Sequence, residues 1–346
     1  MARQRRKSRR KRGFGARGTL LVLFLLVLAA AGAAAWLVFT PFGPQTETFV
    51  DVAPGTSAAR IGRQLEAAGV VRSQFAFDLV RWVQRGTLRA GEYRFDHPAT
   101  VDEVYARLER GDVYTKTVVV PEGANIFDIA ARLEQAGFGA RGEFLDEQAR
   151  QTSLVADLDP GAKSLEGYLF PDTYHFSRKA TLAQITAAMV RRFRQEASRL
   201  GLKENVHEVV TMASLVERET ALDAERPLVA SVFENRLAKN MPLMTDPSVI
   251  YGLELKGEWH GVIHESDLKR NTLYNTYLHA GLPPGPIANP GVRSLRAAME
   301  PARTDYLYFV AAGANPQGRS LFASTLEEHA RNVSGYRHAL KKAGDR

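Results

Sequence analysis

An uninterrupted apolar segment near the start of the chain limits its possible folds more than any other feature. Residues 18–39, GTLLVLFLLVLAAAGAAAWLVF, contain no charged or strongly polar side chain. As a helix they extend roughly 33 Å, which is enough to cross the hydrocarbon layer of a bilayer. A buried core helix of this length and purity would be unusual, so the segment predicts one transmembrane helix.

Basic residues cluster on one side of this segment. The first 17 residues hold nine Arg and Lys and no acid, and the whole chain of 346 residues has a net charge of +8. The positive-inside rule therefore predicts a single-pass protein of the cell inner (plasma) membrane. Its N-terminus would be cytoplasmic, in contact with anionic lipid, and residues from 40 onward periplasmic or extracytoplasmic.

A cleaved signal peptide is the alternative to this anchor. The small residues 29–35, AAAGAAA, would supply its cleavage site. The apolar run continues through Trp36–Phe39, however, and Trp is common at membrane interfaces. These residues favour an uncleaved anchor.

The charge distribution and the absence of cysteine exclude several classes of protein. Removing the +9 of the tail leaves about −1 for the rest of the chain, so no nucleic-acid partner is expected. With no cysteine, the chain can form no disulfide, no thiolate metal site and no cysteine nucleophile.

An internal repeat follows a short Pro- and Gly-bearing linker. Residues 49–71 and 117–138 align with an offset of 68, which superposes Val50 on Val118, Leu65 on Leu133 and Gly69 on Gly137. Each copy predicts a strand, a Pro/Gly turn and a helix that ends at glycine.

The segment between the two copies predicts a further strand and helix. Residues 90–95, AGEYRF, are typical of a strand. Residues 100–111 predict a helix with Thr100 as N-cap, Glu103 three residues later and Gly111 at its end. The resulting pattern resembles a LysM-type glycan-binding module, although a packing domain that positions an enzyme would have the same pattern.

The second half of the chain predicts longer helices, and one of them ends in a pair of acids. Residues 206–220, VHEVVTMASLVERET, form a largely apolar helix that reaches Glu217 and Glu219 at its end. A carboxyl beside buried apolar residues has a raised pKa, which is how glycosidases keep a general acid protonated. By pattern alone, both residues could equally be solvated charges.

Six ordered blocks carry a close resemblance to the MltG/YceG-like family of endolytic peptidoglycan lytic transglycosylases. The resemblance covers most of residues 116–340, and its blocks are LEGYLFPDTY (165–174), ASLVERET (213–220), ER with VASVFENRL (225–237), MPLMTDPSVIYGL (241–253), YNTYLHAGLPPGPIANPG (274–291) and YLYFVA (306–311). The resemblance implies that the family's catalytic glutamate is Glu217, with Glu219 as the weaker candidate.

The family's chemistry, carried over, is cleavage of the MurNAc–GlcNAc β-1,4 bond of nascent strands without net addition of water. Protonated Glu217 would donate to the glycosidic oxygen, and its carboxylate would then accept the proton of the MurNAc C6 hydroxyl. That hydroxyl attacks C1 and closes a 1,6-anhydro ring. Because this nucleophile belongs to the substrate, no second carboxylate is strictly needed.

Eight further residues are predicted to contact substrate or to border the site. Aromatic faces can stack on sugar rings and carboxylates can accept sugar hydroxyls, although the same residues could be a buried scaffold. Asp246 is also predicted as a helix N-cap before Pro247, and Asn275 as an amide that orients substrate. The set is Glu166, Tyr168, Asp172, Glu219, Asp246, Tyr274, Asn275 and Tyr277.

We expect an α+β fold. Its segments are a basic tail (1–17), a transmembrane helix (18–39), a linker (40–48), a LysM-like module (49–116), a second β–α unit (117–160) and a YceG-like catalytic domain (161–346).

The sequence predicts no metal and no cofactor. His260 and His264 stand four residues apart without a third ligand, and no phosphate-binding or dinucleotide fingerprint is present. The predicted partners are glycan strands, the membrane and, by resemblance, penicillin-binding synthases. Two alternatives stay open, namely a noncatalytic glycan-binding scaffold of the elongation machinery and a true hydrolase.

Overall fold

The computed structural model describes residues 16–315 and 318–344. Most of the predicted basic tail, residues 1–17, therefore lies outside the described residues. The helix α1 (Ala16–Phe39) covers the predicted membrane segment. Within the described part of the chain, Arg17–Phe39 is the one helix long and apolar enough to cross a membrane.

The chain divides into two units, Met1–Thr115 and Lys116–Arg346. The elements of the smaller unit are α1, β1 (Thr48–Val52), α2 (Ala58–Ala67), α3 (Gln74–Gln84), β2 (Gly91–Phe95) and α4 (Val101–Arg110).

The larger unit begins with β3 and contains the remaining helices and strands. They are β3 (Lys116–Val120), α5 (Ile126–Gln135), α6 (Arg141–Arg150), β4 (Asp172–Phe176), α7 (Leu182–Leu200), α8 (Val206–Glu219), α9 (Arg226–Ala238), α10 (Asp246–Glu254), α11 (Val292–Met299), β5 (Tyr308–Ala311), β6 (Ser320–Ala323) and α12 (Leu326–Gly344). Short 3₁₀ helices occur at Thr152–Val155 and Asp267–Lys269. The expected mixture of helices and strands is confirmed.

The smaller unit forms as its local sequence predicts. Strands β1 and β2 pair antiparallel, with Val50 opposite Tyr93, and a core of apolar side chains joins them to α2, α3 and α4. Thr100 and Glu103 form the capping box at the start of α4, and Gly111 ends it in the left-handed conformation. After α1 the unit has the element order β-α-α-β. Its likeness to a LysM-type module and glycan binding by it stay predictions.

The second repeat has the same local order but a different packing environment. Strand β3 pairs antiparallel with β4, so that Val118 lies opposite Tyr174. The apolar side chains of β3 and α5 belong to the main core of the larger unit. The predicted second β–α unit at 117–160 thus pairs through β3 with β4, and the helices that follow bury its apolar face.

Helix α8 lies in the interior of the larger unit and packs against α9, α10 and α11. Its side chains from Val210 to Val216 are almost fully buried. The neighbouring turn needs glycine at position 167, where φ is +86° and a Cβ would lie 2.6 Å from both Pro286 and Val210. This close contact holds the LEGYLFPDTY segment against α8.

Candidate active site at the end of helix α8

The two acids at the end of α8 point in different directions. Residues two apart in an α-helix are separated by about 200° around its axis, so their side chains do not face each other. Glu217 and Glu219 therefore meet different neighbours. Glu217 faces the start of α9 and of α11, and Glu219 lines a cavity bordered by α9, α10, β5 and α12.

Glu217 is held in a buried ion pair. Its Oε1 accepts a hydrogen bond from Nη1 of Arg226 at 2.7 Å, and its Oε2 accepts one from the backbone N–H of Gly291 at 2.9 Å. The side chains of Glu217 and Arg226 are 5% and 6% exposed. Arg226 also donates to Ser294 and pairs with Asp223. Both oxygens of Glu217 thus accept a hydrogen bond, one of them from a charged donor.

Glu219 has the opposite surroundings. Among the residues that the structure describes, no side chain or backbone group is its hydrogen-bond or ion-pair partner. Burial, and after it the negative charge of Asp246, raise the pKa of Glu219 to about 7, against the opposing charges of Arg236 and Arg218. This carboxyl therefore holds its proton over a range in which an ordinary glutamate is ionised.

The cavity beside Glu219 has a volume of about 440 Å³, which is within the usual range for small-ligand sites. Aromatic rings form much of its wall, and a histidine closes one side. The lining includes Phe233, Tyr277, Tyr308, Phe309 and His329. The His329 ring stacks on Tyr308 at 5.0 Å between centroids, and its buried Nδ1 has no hydrogen-bond partner among the described residues.

Two charged side chains of opposite sign share the cavity with Glu219. The guanidinium of Arg236 is fixed by hydrogen bonds to the carbonyl oxygens of Leu307 at 2.7 Å and Leu243 at 2.8 Å. On the other side, Asp246 accepts a hydrogen bond from the Tyr277 hydroxyl at 2.5 Å. The cavity therefore brings an acid, a cation and a carboxylate together.

The predicted cap at Asp246 is corrected by one position. Helix α10 has Thr245 as its N-cap and begins at Asp246, with Pro247 still in the first turn. The carboxylate of Asp246 bonds Tyr277 and lines the cavity, so it does not cap the helix. Tyr277 and Asp246 are the two predicted contact residues that share the cavity with Glu219.

Glu166 and Tyr168 belong to the interior, and each is 1% exposed. Glu166 accepts hydrogen bonds from the backbone N–H of Ile126 at 2.9 Å and from Nδ2 of Asn289 at 2.8 Å. Burial raises the pKa of Glu166 to about 8. Tyr168 donates to Asp159 at 2.7 Å. These contacts are those of a buried scaffold, and neither side chain lines the cavity beside Glu219.

Asn275 is likewise a structural amide in this conformation. It is fully buried, its Nδ2 donates to the carbonyl oxygens of Leu268 and Arg270, and its Oδ1 accepts from the backbone N–H of Tyr277. It therefore shapes the loop that carries Tyr277, and its role in orienting substrate stays a prediction.

Asp172 and Tyr274 lie away from the cavity lining. Asp172 pairs with Arg192 at 2.6 Å, which lowers its pKa. The Tyr274 ring packs edge-on against Tyr251 at 5.0 Å. Their predicted contact with substrate has no support from these positions.

Several cavity residues, Arg236, Tyr308 and His329 among them, were not singled out from the sequence. Arg236 and Tyr308 lie within two of the family blocks, but the blocks do not indicate that these two side chains line a cavity. His329 lies on α12 outside every block, and no local pattern marks it. Between residues 16 and 344, with 316 and 317 left out, no three His, Asp or Glu side chains are grouped to hold a metal ion.

Residues 50–335, most of the chain, match the family described as YceG-like. The chain belongs to the YceG-like family. A solved member offers a comparison of folds, since the crystal structure of a yceG-like protein from Listeria monocytogenes is 33% identical. It covers 83% of this chain and 99% of its own length, with a TM-score of 0.54.

Two relatives of this chain have names that state an activity. A protein of Bacillus subtilis, named endolytic murein transglycosylase, is 34% identical over 82% of this chain and 83% of its own length. A Streptococcus pneumoniae protein of the same name is 29% identical over 90% of this chain. This chain spans 64% of the length of the pneumococcal protein.

Proposed function

We propose that this chain is an endolytic murein transglycosylase, a carbon–oxygen lyase that acts on the glycan strands of peptidoglycan. Its YceG-like membership and the 34% identity to the Bacillus subtilis enzyme support this activity. The observation that carries the proposal is Glu219, an acid with a pKa of about 7 that has no partner among the described residues and faces an aromatic cavity.

Glu219, and not Glu217, is the general acid in this proposal. A general acid needs a proton near neutral pH and access to substrate. Glu217 has Arg226 and the Gly291 N–H on its two oxygens and its side chain is 5% exposed, so it lacks this access. Glu217 instead ties the end of α8 to α9 and to the start of α11, which positions Glu219.

The reaction cleaves the β-1,4 bond between MurNAc and GlcNAc. Protonated Glu219 donates its proton to the glycosidic oxygen as the bond from C1 to that oxygen breaks. The MurNAc C6 hydroxyl forms a new bond to C1 and gives its proton to the Glu219 carboxylate. The products are a 1,6-anhydro-MurNAc end and a free GlcNAc hydroxyl, and Glu219 is protonated again without net addition of water.

The neighbours of Glu219 fit these two roles. The charge of Asp246 keeps the proton on Glu219 before cleavage, and the fixed guanidinium of Arg236 stabilises the carboxylate that forms afterwards. The rings of Tyr277, Tyr308 and Phe309 offer faces for sugar rings. A pKa of about 7 is near the optimum for one group that must first donate and then accept a proton.

The location follows from α1 and from the charge of the tail. We propose that α1 is a single-pass anchor of the cell inner membrane with a cytoplasmic N-terminus, so that the cavity faces the compartment where strands are made. Penicillin-binding synthases are proposed partners, and the LysM-like module of the smaller unit is a proposed glycan contact.

The deciding experiment incubates the full chain in nanodiscs with purified glycan strands and analyses the products by mass spectrometry. We expect strands with anhydro ends from the wild type and none above background from Glu219→Gln. Products heavier by one water would indicate a hydrolase instead. No cleavage by either protein, with strands still bound, would support a noncatalytic glycan-binding scaffold.

A further inference from the structure

Helix α3 of the smaller unit has an apolar face that no described residue covers. Phe75, Leu79, Trp82 and Val83 recur at i, i+4, i+7 and i+8, so they lie on one side of the helix. All four are exposed, with Phe75 and Trp82 at 81% and 69%. The neighbouring face, with Ala76, Phe77 and Val80, is already buried in the core of the unit.

This exposed face is continuous with the predicted anchor. A groove of about 380 Å³ runs between α1 and α3, and apolar side chains of both helices form most of its wall. On α1 the groove spans Ala31 to Phe39, and on α3 it includes Leu79 and Val83. Eight residue steps of a helix cover about 12 Å, so α3 packs beside the last third of α1.

The depth of α3 follows from that of α1. When residues 18–39 cross a hydrocarbon layer of about 30 Å, their final 12 Å lie in the outer leaflet and its interface. A helix that packs beside those residues lies at the same depth. Its exposed Trp and Phe are the side chains that membrane interfaces favour, and the polar side of α3, with Arg81 and Arg85, can remain at the headgroups.

The end of α1 packs against the rest of the smaller unit, so the depth of the anchor in the bilayer sets the depth of α3. The guanidinium of Arg72 lies over the Trp36 ring at 4.6 Å and over the Phe42 ring at 4.8 Å, and it donates to the carbonyl oxygen of Pro41. Val38 of α1 is 6% exposed and part of the core. The end of the anchor is thus packed into the folded unit.

We infer that α3 is a second membrane contact, whose apolar face inserts among the lipids of the outer leaflet beside the anchor. Acyl chains occupy the groove between α1 and α3. The smaller unit then contacts the bilayer through α3 as well as through the anchor α1. This inference rests on the membrane anchor of the proposed function.

The absence of native cysteine makes a direct test possible in the full chain. Single-cysteine variants Phe75→Cys and Trp82→Cys are labelled with an environment-sensitive fluorophore and reconstituted in nanodiscs of phosphatidylcholine and phosphatidylglycerol. Lipids with a quencher near the headgroup or deep in the acyl chain report depth. Leu28→Cys, in the middle of α1, monitors the anchor, and Glu66→Cys on the exposed side of α2 is the solvent control.

We expect labels at 75 and 82 to lose fluorescence with the shallow quencher, because an interfacial face lies roughly 5–10 Å inside the headgroup boundary. The label at 28 should respond to the deep quencher and the label at 66 to neither. Labels at 75 and 82 that stay solvent-like while 28 is quenched would overturn the inference alone. An unquenched label at 28 would overturn the anchor of the proposed function.

A second variant separates lipid contact from folding and from catalysis. Phe75→Glu with Trp82→Glu, labelled at Val83→Cys, should lose the shallow quenching seen with Val83→Cys alone, while cleavage of soluble glycan strands stays unchanged. Unchanged quenching would contradict the inference. Shielding of the label that requires an added membrane protein, and does not occur with lipid alone, would assign the face to a protein partner instead.

Discussion

The two sides of the end of α8 place identical carboxyl groups in opposite environments. On one side, Glu217 has two strong donors and is sealed between helices. On the other, Glu219 has no partner among the described residues and faces a cavity. Both residues are partly or wholly removed from water, so burial alone does not distinguish them. What distinguishes them is whether hydrogen-bond donors reach the oxygens of the carboxyl group.

In the proposed function, this difference gives Glu217 a structural role and Glu219 a chemical one. A paired carboxylate is a fixed charge that holds elements together, whereas an unpaired one exchanges a proton with whatever enters the cavity. Two positions along the helix, which differ by about 200° around its axis, are enough to separate these roles. Substitutions on each side should therefore change different quantities, activity on one side and stability on the other.

The largest effect is expected for Glu219→Gln, which keeps the shape of the side chain and removes its titratable proton. Loss of a general acid lowers turnover by roughly 10²- to 10⁴-fold. Release of anhydro-ended fragments measures it, and the melting temperature should be unaffected. Retention of more than a tenth of wild-type turnover would contradict the proposed role of Glu219.

Glu217→Gln should chiefly lower stability, because it leaves Arg226 buried without its main partner. Breaking one side of a buried pair costs on the order of 3 kcal/mol, and the free energy of unfolding in urea measures it. The double variant Glu217→Gln with Arg226→Met should recover part of this loss, since no unpaired charge remains. A stable single variant with no turnover would instead make Glu217 the catalytic acid.

The pH dependence of cleavage should shift when Asp246 loses its charge. Glu219 acts as an acid while protonated, so activity should fall as pH rises through its pKa of about 7. Asp246→Asn removes the charge that helps to raise this pKa, so the descending limb should move to lower pH by on the order of one unit. Tyr277→Phe keeps the carboxylate and is the matched control, whose limb should stay near that of the wild type.

The smallest effect is expected for Arg218→Met, with the opposite sign. Arg218 lowers the pKa of Glu219 but is exposed, so water screens its charge. Without it, the pKa of Glu219 should rise and the descending limb should move up by roughly a few tenths of a unit. A shift to lower pH would mean that Arg218 acts through its contact with the Gly123 carbonyl and not through its charge.

The two copies of the repeat form the same local structure but pack into different cores. Both copies form a strand, a turn and a helix that ends at a left-handed glycine, Gly69 in one and Gly137 in the other, as the sequence predicts. These features depend on local backbone preferences. Which core receives each helix depends on distant residues, so the repeat alone does not predict that α5 packs into the main core of the larger unit.

The candidate site was predictable in its chemistry and only partly in its residues. The ordered blocks located the region, and Tyr277 and Asp246 do line the cavity with Glu219. Glu166 and Asn275 belong to the same blocks but are buried and hydrogen-bonded inside the fold. A block of sequence does not distinguish a residue that touches substrate from one that supports the loop.

The sequence by itself determined the apolar helix, the local order of both repeats, the capping box of α4 and the family, because these depend on short-range pattern and composition. The tertiary structure decided which of the two acids has a partner among the described residues and which has none. Gly291 reaches the end of α8 from a distant part of the chain, and the fold of the next helix brings Arg226 and Arg236 there. Electrostatic surroundings are a property of such long-range contacts, so the choice between Glu217 and Glu219 depends on the fold.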